Sequence, residues 1–240
     1  MADPLVELQN LLRPGVDRCR AAQVPYVVAV TGSVAVGKSA TAQLLQETLS
    51  AEPGGARVEI VSSDGFLLPN RVLDARGLTM RKGFPDSYDR DALLAFLAAA
   101  KAGEPDLRVP VYSHEDYDVL DEFQVLDAAD VVIVEGLHLL DLSDSIDIGI
   151  YVDAEEADIE RWFVDRFLML RGSGHSFYQQ FSGFSDDQAS AFARQVWDAI
   201  NRVNLVEYIL PTRELADVVI EKGPDHSMRR IRVPRGNMRS

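Results

Sequence analysis

Gly32, Ser33, Val34, Ala35, Val36, Gly37, Lys38 and Ser39 match the pattern G-x-x-x-x-G-K-[ST] without a break. That spacing suits one task, holding the phosphates of a nucleotide. The glycines leave room where a Cβ would stop the backbone from wrapping an anion. Successive backbone N–H groups and the positive end of the following helix then converge on one point. Lys38 brings a mobile charge to the β- and γ-phosphates, Ser39 a hydroxyl for Mg²⁺, and Ala40 completes the nucleotide-binding stretch.

Two acids and one arginine could complete a phosphotransfer centre. Asp64 follows a short apolar run at 58–62, and Glu135 ends the most uniformly apolar run in the chain, at 130–134. In open α/β sheets ligands bind beyond the carboxyl ends of strands, so both acids should face the crevice that holds the phosphate loop. Asp64 is the candidate base. Glu135 is the candidate acid for Mg²⁺, directly or through water, although a helix cap or a surface acid would look the same. Arg166, on a helix read from 158 to 171, could neutralise the transferring group.

The elements that must position these residues alternate. Tyr26–Thr31 is a β-branched strand, and Ala40–Leu49 has apolar residues at helical spacing. Ahead of them, Leu5, Leu8, Leu11 and Leu12 suggest a leader helix within residues 1–23, broken by Pro14 and packed outside the sheet. Glu52–Gly55 is a turn. Residues 66–90 lack periodicity and are read as an irregular wall of the acceptor site, since loops of that length in compact domains are usually functional. A helix at 91–101 precedes a strand at 108–114 and a hairpin formed by 117–120 and 123–126. Further strands lie at 146–152 and 216–220, with 231–233 at an edge. From 154 to 210 helices dominate, at 158–171 and 186–209. The segment between them carries Gly172, Gly174 and Gly183 around aromatic residues, and it is expected to act as a lid. Trp162, Phe163, Phe167, Phe177, Tyr178, Phe181 and Phe184 are read first as core between the lid helices and the sheet. The whole chain is expected to be one α/β domain, a doubly wound and mostly parallel sheet of the phosphate-loop NTPase and kinase fold with a helical lid.

Composition narrows the partners. The chain has 240 residues with a net charge of −14, which argues against nucleic acid as a main ligand. The five arginines between Arg229 and Arg239 are read as a solvated basic end. No apolar run approaches the ~18 residues of a membrane span, and Met1-Ala2-Asp3-Pro4 lacks the features of a secretory signal, so no membrane partner and a cytoplasmic location are expected. Cys19 is the single cysteine, which excludes an internal disulfide or a cysteine metal cluster.

A GTP-dependent switch would carry an Asn-Lys-x-Asp element, which is absent. A transporter ATPase would carry Leu-Ser-Gly-Gly-Gln, to which Phe181-Ser182-Gly183-Phe184-Ser185 is a coincidental likeness. A small-molecule kinase fits Asp64, Arg166 and the long loop together.

Over residues 24–233 the chain resembles the type I bacterial pantothenate kinases of the phosphoribulokinase and uridine kinase superfamily. The likeness rests on the phosphate loop, Asp64-Gly65-Phe66, the run from Lys82 to Asp89, Pro110 to His114, and Ile209 to Glu214. It implies ATP as co-substrate and Mg²⁺ as cofactor. It puts Asp64, Tyr112, His114 and Asn204 at the acceptor, Arg166 at the transferring phosphate, and Lys222 and His226 near the adenine. Where that family has a tyrosine on the acceptor this chain has Phe163, and where it has an arginine after the loop this chain has Gln43. The expected partners are ATP and a small-molecule acceptor, with a homodimer possible. A kinase of another small alcohol (nucleoside, sugar or glycerate) and a non-catalytic ATP-binding regulator remain as alternatives.

Overall fold

The computed structural model describes residues 3–51, 54–172 and 176–234. Glu52 and Pro53 of the expected turn, Gly174 of the lid, and Arg235 and Arg239 of the basic end lie outside the described residues.

Strand β1 (Tyr26–Gly32) is buried at every position, because an unbroken apolar run must be covered on both faces. It lies inside a six-stranded sheet ordered β2 (Val58–Ser62), β5 (Val131–Gly136), β1, β6 (Ile148–Asp153), β7 (Val218–Lys222) and β8 (Met228–Arg232). All pairings are parallel except that of β8, which runs antiparallel at the edge. From β1 the chain goes outward past β5 to β2, and later returns to β6 on the other side. That reversal opens a crevice above the carboxyl ends of β1, β2 and β5. The main core joins the sheet to α1 (Pro4–Ala22), α2 (Lys38–Ser50) and α4 (Arg90–Ala102) through Leu8, Leu12, Leu45, Leu97 and their neighbours.

Several elements differ from their sequence reading. Helix α1 runs through Pro14 without a break. Pro14 and Asn10, the residue whose carbonyl loses a donor, are both exposed, so water can take that bond, while Leu8, Leu12 and Val16 anchor both halves. Residues 66–90 are not irregular throughout: they contain α3 (Asn70–Ala75) and 3₁₀ turns at Thr79–Arg81 and Pro85–Ser87. In place of a strand followed by a hairpin of two short strands, β3 (Arg108–Ser113) pairs with β4 (Asp118–Val125) as a separate two-stranded sheet, and the stretches read at 117–120 and 123–126 fall on the one strand β4. Arg229, Arg230 and Arg232 are part of β8 and not of a free end, and Arg232 pairs with Glu221 at 2.5 Å.

The segment expected to act as a lid contains α5 (Glu156–Arg171), α6 (Ser176–Gln179) and α7 (Asp186–Val196), whose start is set by a Ser185–Gln188 capping box. The helix then continues through a π-helical stretch (Trp197–Asn201), α8 (Arg202–Asn204) and a second π-helical stretch (Leu205–Ile209). The aromatic residues divide. Trp162 joins the main core, while Phe167 and Phe181 form a second small core with Val164, Ala189 and Ala193 inside the lid itself. The expected packing of all of them against the sheet therefore does not hold. Phe177 and Phe184 stay 36% and 38% exposed.

Candidate active site

The register of the sheet builds the site. β2 pairs β5 with Ser62 opposite Glu135, and β1 pairs β5 with Val30 opposite Glu135. Asp64 and Glu135 thus emerge side by side next to the phosphate loop. The approach is tight: a Cβ on Gly136 would come within 1.7 Å of Ser63 Oγ. The loop turns through left-handed backbone at Ala35 (φ 61°) and Gly37 (φ 89°). No side chain caps α2, which leaves its N-terminal N–H groups available to an anion.

Lys38 folds back over the loop and donates to the Ser33 carbonyl at 2.9 Å. Burial pushes its ammonium down, Glu135 and Asp64 pull it back up, and Arg166 pushes it down again. One lysine therefore feels both acids and the lid arginine. Ser39 Oγ donates to Glu135 Oε1 at 3.1 Å. Lys222 lies under the loop, with Nζ 3.3 Å from the Gly37 carbonyl, and burial followed by the Lys38 charge lowers its pKa. His226, in left-handed backbone, stacks on Trp162 with ring centroids 3.8 Å apart. Arg166 is exposed and makes no ion pair among the described residues, while its charge reaches Lys38, Tyr117 and Tyr178.

On the acceptor side the structure adds residues that sequence reasoning left without a role. Lys82 Nζ donates to Asn70 Oδ1 at 2.8 Å and to the Tyr117 carbonyl, and lies 4.2 Å from the centroid of the Tyr117 ring. Burial lowers its pKa to about 8 against the pull of Asp118 and Asp64. Tyr88 is buried, its hydroxyl 3.5 Å from Asp64 Oδ1, and burial next to Asp64 and Glu135 raises its pKa strongly. The signal available for both was their place in the run from Lys82 to Asp89; nothing in that run gave the direction of either side chain.

Tyr112 and His114 stand together on the hairpin, ring centroids 5.2 Å apart, with Lys82 5.1 Å from the Tyr112 ring. Asn204 is 5% exposed, donates to the Gly83 carbonyl at 2.7 Å, and has a buried Oδ1 without a partner among the described residues. Phe163 is half-buried and meets Trp197 at 6.0 Å, so it stands at the edge of the main core rather than in a polar setting. Lys38, Ser39, Asp64, Glu135 and Arg166 are brought together, and Tyr112 joins them through the field of Asp64.

An anion-binding loop, two acids at neighbouring strand ends and an exposed arginine without an ion pair among the described residues form a phosphoryl-transfer constellation. Residues 27–177 match the phosphoribulokinase/uridine kinase family. The chain belongs to that family. Within it, the pantothenate kinase of Sorangium cellulosum is 48% identical over 88% of this chain and 73% of its own length. That of Cutibacterium acnes is 45% identical over 92% and 72%. Among solved structures, a candidate fructose transport system kinase from Silicibacter sp. TM1040 is 26% identical, with a TM-score of 0.64 over 80% of this chain and 91% of that one. The YGR205w protein, at 14% identity and a TM-score of 0.64 over 97% and 98%, shares the fold. Among the described residues no helix is long and apolar enough to cross a membrane.

Proposed function

We propose that this kinase transfers the γ-phosphate of ATP to the primary hydroxyl of pantothenate. One observation carries the chemistry: Ser39 of the phosphate loop lies 3.1 Å from Glu135 at the end of β5, and β2, which leads to Asp64, pairs with β5 at that same end, so loop, metal-side acid and acceptor base open onto one crevice. The acceptor is supported by relatives of 43–48% identity named pantothenate kinase. It is also supported by the half-buried Lys82 ammonium, held by Asn70 and the Tyr117 carbonyl next to the Tyr112 ring, a site for the acceptor's carboxylate.

Asp64 takes the proton of the acceptor hydroxyl as its oxygen bonds to the γ-phosphorus. The bond from that phosphorus to the β,γ-bridging oxygen breaks, and ADP leaves. Lys38 and Arg166 hold the charge spread over the transferring oxygens, and the lid keeps water from competing. Ser39 and Glu135 offer hard oxygen donors, which suits Mg²⁺; no cluster of three or more acidic, histidine or cysteine ligands occurs among the described residues, as fits a cation held mainly by nucleotide phosphates. Mg²⁺, when bound, would draw charge from the β- and γ-oxygens. Tyr112, His114, Lys82 and Asn204 line the acceptor, with Asn204 Oδ1 open to a donor. Lys222 and His226 flank the nucleotide from the loop and from the β7–β8 turn. The protein works in the cytoplasm as a single domain that acts on small molecules.

A coupled assay of ADP release across pantothenate, ribonucleosides, glycerate and fructose tests the reading. Turnover with pantothenate at a kcat/KM at least roughly 100-fold above the others is expected. Preference for another alcohol would move the acceptor assignment to that alcohol, and no turnover with any of them would favour an ATP-binding regulator.

A further inference from the structure

His138 lies two residues beyond Gly136, on the far side of the strand end that carries Glu135, and is 7% exposed. Its Nε2 is 2.8 Å from the Gly83 carbonyl. A carbonyl can only accept, so Nε2 carries the proton. Asn204 Nδ2 donates to the same oxygen at 2.7 Å, and the two lone pairs of Gly83 are both used. Gly83 has φ +92°, and its N–H donates to Ser87 Oγ, which in turn donates to the Phe84 carbonyl at 2.7 Å. Residues 83–87 are therefore a closed turn held at one oxygen from two other parts of the chain.

The two ends of that turn carry chemistry. Lys82 precedes it with its ammonium beside Tyr117, and Tyr88 follows it with its hydroxyl toward Asp64. The Tyr88 ring also meets the His138 ring edge to face, 5.9 Å between centroids. We propose that His138 is a positioning residue for the acceptor side of the reaction: through the Gly83 carbonyl and the Tyr88 ring it fixes Lys82 and Tyr88 relative to Asp64. It does so from the strand end that also holds the metal-side acid. The groups facing His138 are Tyr88, Asp141, Arg90 and Lys38, and burial keeps the imidazole neutral, so its bond to Gly83 is a neutral one.

The test uses His138→Leu, which keeps bulk and loses the donor, and His138→Gln, whose amide nitrogen reaches about as far as Nε2. Its kinetic arm rests on the pantothenate kinase reading; its second arm, hydrogen exchange of residues 82–88, does not. His138→Leu is expected to raise the KM for pantothenate roughly tenfold, the scale of one neutral hydrogen bond, with the KM for ATP within roughly twofold. His138→Gln should restore the KM to within about threefold. Exchange over 82–88 should rise in the leucine variant and stay slow in the glutamine one, with β1 and α2 unchanged in both. Equal rises in both KM values, a glutamine variant as impaired as the leucine one, or unchanged exchange over 82–88 would each overturn the proposal. If wild-type protein fails to phosphorylate pantothenate, the function reading falls and the exchange arm still decides the role of His138. If the leucine variant does not fold, fast exchange at 82–88 in the folded glutamine variant overturns the proposal and slow exchange supports it.

Discussion

Ser39 donates its hydroxyl to Glu135 across 3.1 Å, joining the first turn of α2 to the end of β5. A hydroxyl and a carboxylate held together in this way can exchange their mutual bond for a shared cation. Glu135→Gln removes the charge and keeps the shape. It should lower kcat/KM by roughly 10- to 100-fold and move the Mg²⁺ titration to higher concentration. A titration curve that does not move would remove Glu135 from the metal site.

Lys38 and Arg166 are expected to act at different stages. Lys38→Ala should reduce turnover by roughly 1,000-fold or more, since it removes a charge aimed at the transferring oxygens. Arg166→Ala should lower kcat far more than it weakens ATP binding, because the guanidinium is exposed, makes no ion pair among the described residues, and is free to meet charge as it develops. Intact kcat with weaker ATP binding would instead point to Arg171 or Arg213. Both are already paired, Arg213 to Asp153 at 2.7 Å and Arg171 to Asp186.

Asp64→Asn should bind ATP as wild type does and lose transfer by roughly 100- to 10,000-fold, the range for a general base. Calorimetric ATP titration beside the turnover assay separates the two effects. Undiminished transfer would mean that the proton leaves by another route.

Lys82 should give the acceptor KM a basic limb. Its folded pKa is lowered from 10.5 to about 8, so in the free enzyme its charge is lost as pH rises through about 8. The KM for pantothenate should increase above that pH while the KM for ATP does not, and Lys82→Met should abolish the limb. The same shift bears on stability. The folded state holds this proton less tightly than the unfolded one, so the burial cost is full below about pH 8 and fades toward 10.5. Global stability of the methionine variant should therefore exceed wild type most clearly below pH 8.

Gly65 tests the packing that brings β2 to the hairpin. A Cβ there would lie 2.1 Å from the Pro110 carbonyl, which is backbone and cannot step aside. Gly65→Ala should cost about 1–3 kcal/mol in chemical denaturation and raise the acceptor KM, since β3 carries Tyr112. Unchanged stability would show that the hairpin moves freely against the strand end.

The phosphate loop, the strands beside it and the acids at their ends were legible in the sequence because each depends on local pattern. An apolar β-branched run makes a buried strand, glycines mark where the backbone must wrap an anion, and a polar residue at a strand end faces the crevice. Asp64, Glu135 and Lys38 are all fixed by such short-range rules. Other features depended on packing that no local rule carries. Pro14 looked like a helix end, but the buried leucines on either side hold α1 together and leave the lost bond to solvent. Residues 66–90 had no period because their turns are held by distant partners, Asn70 by Tyr117 and Gly83 by His138 and Asn204. The lid aromatics had the spacing of core residues, yet only the arrangement of α5 and α7 decided that they would bury one another. Lys82, Tyr88 and His138 take their roles from contacts with residues far away in the chain, so only the tertiary structure, by closing those loops, determined which groups surround the base.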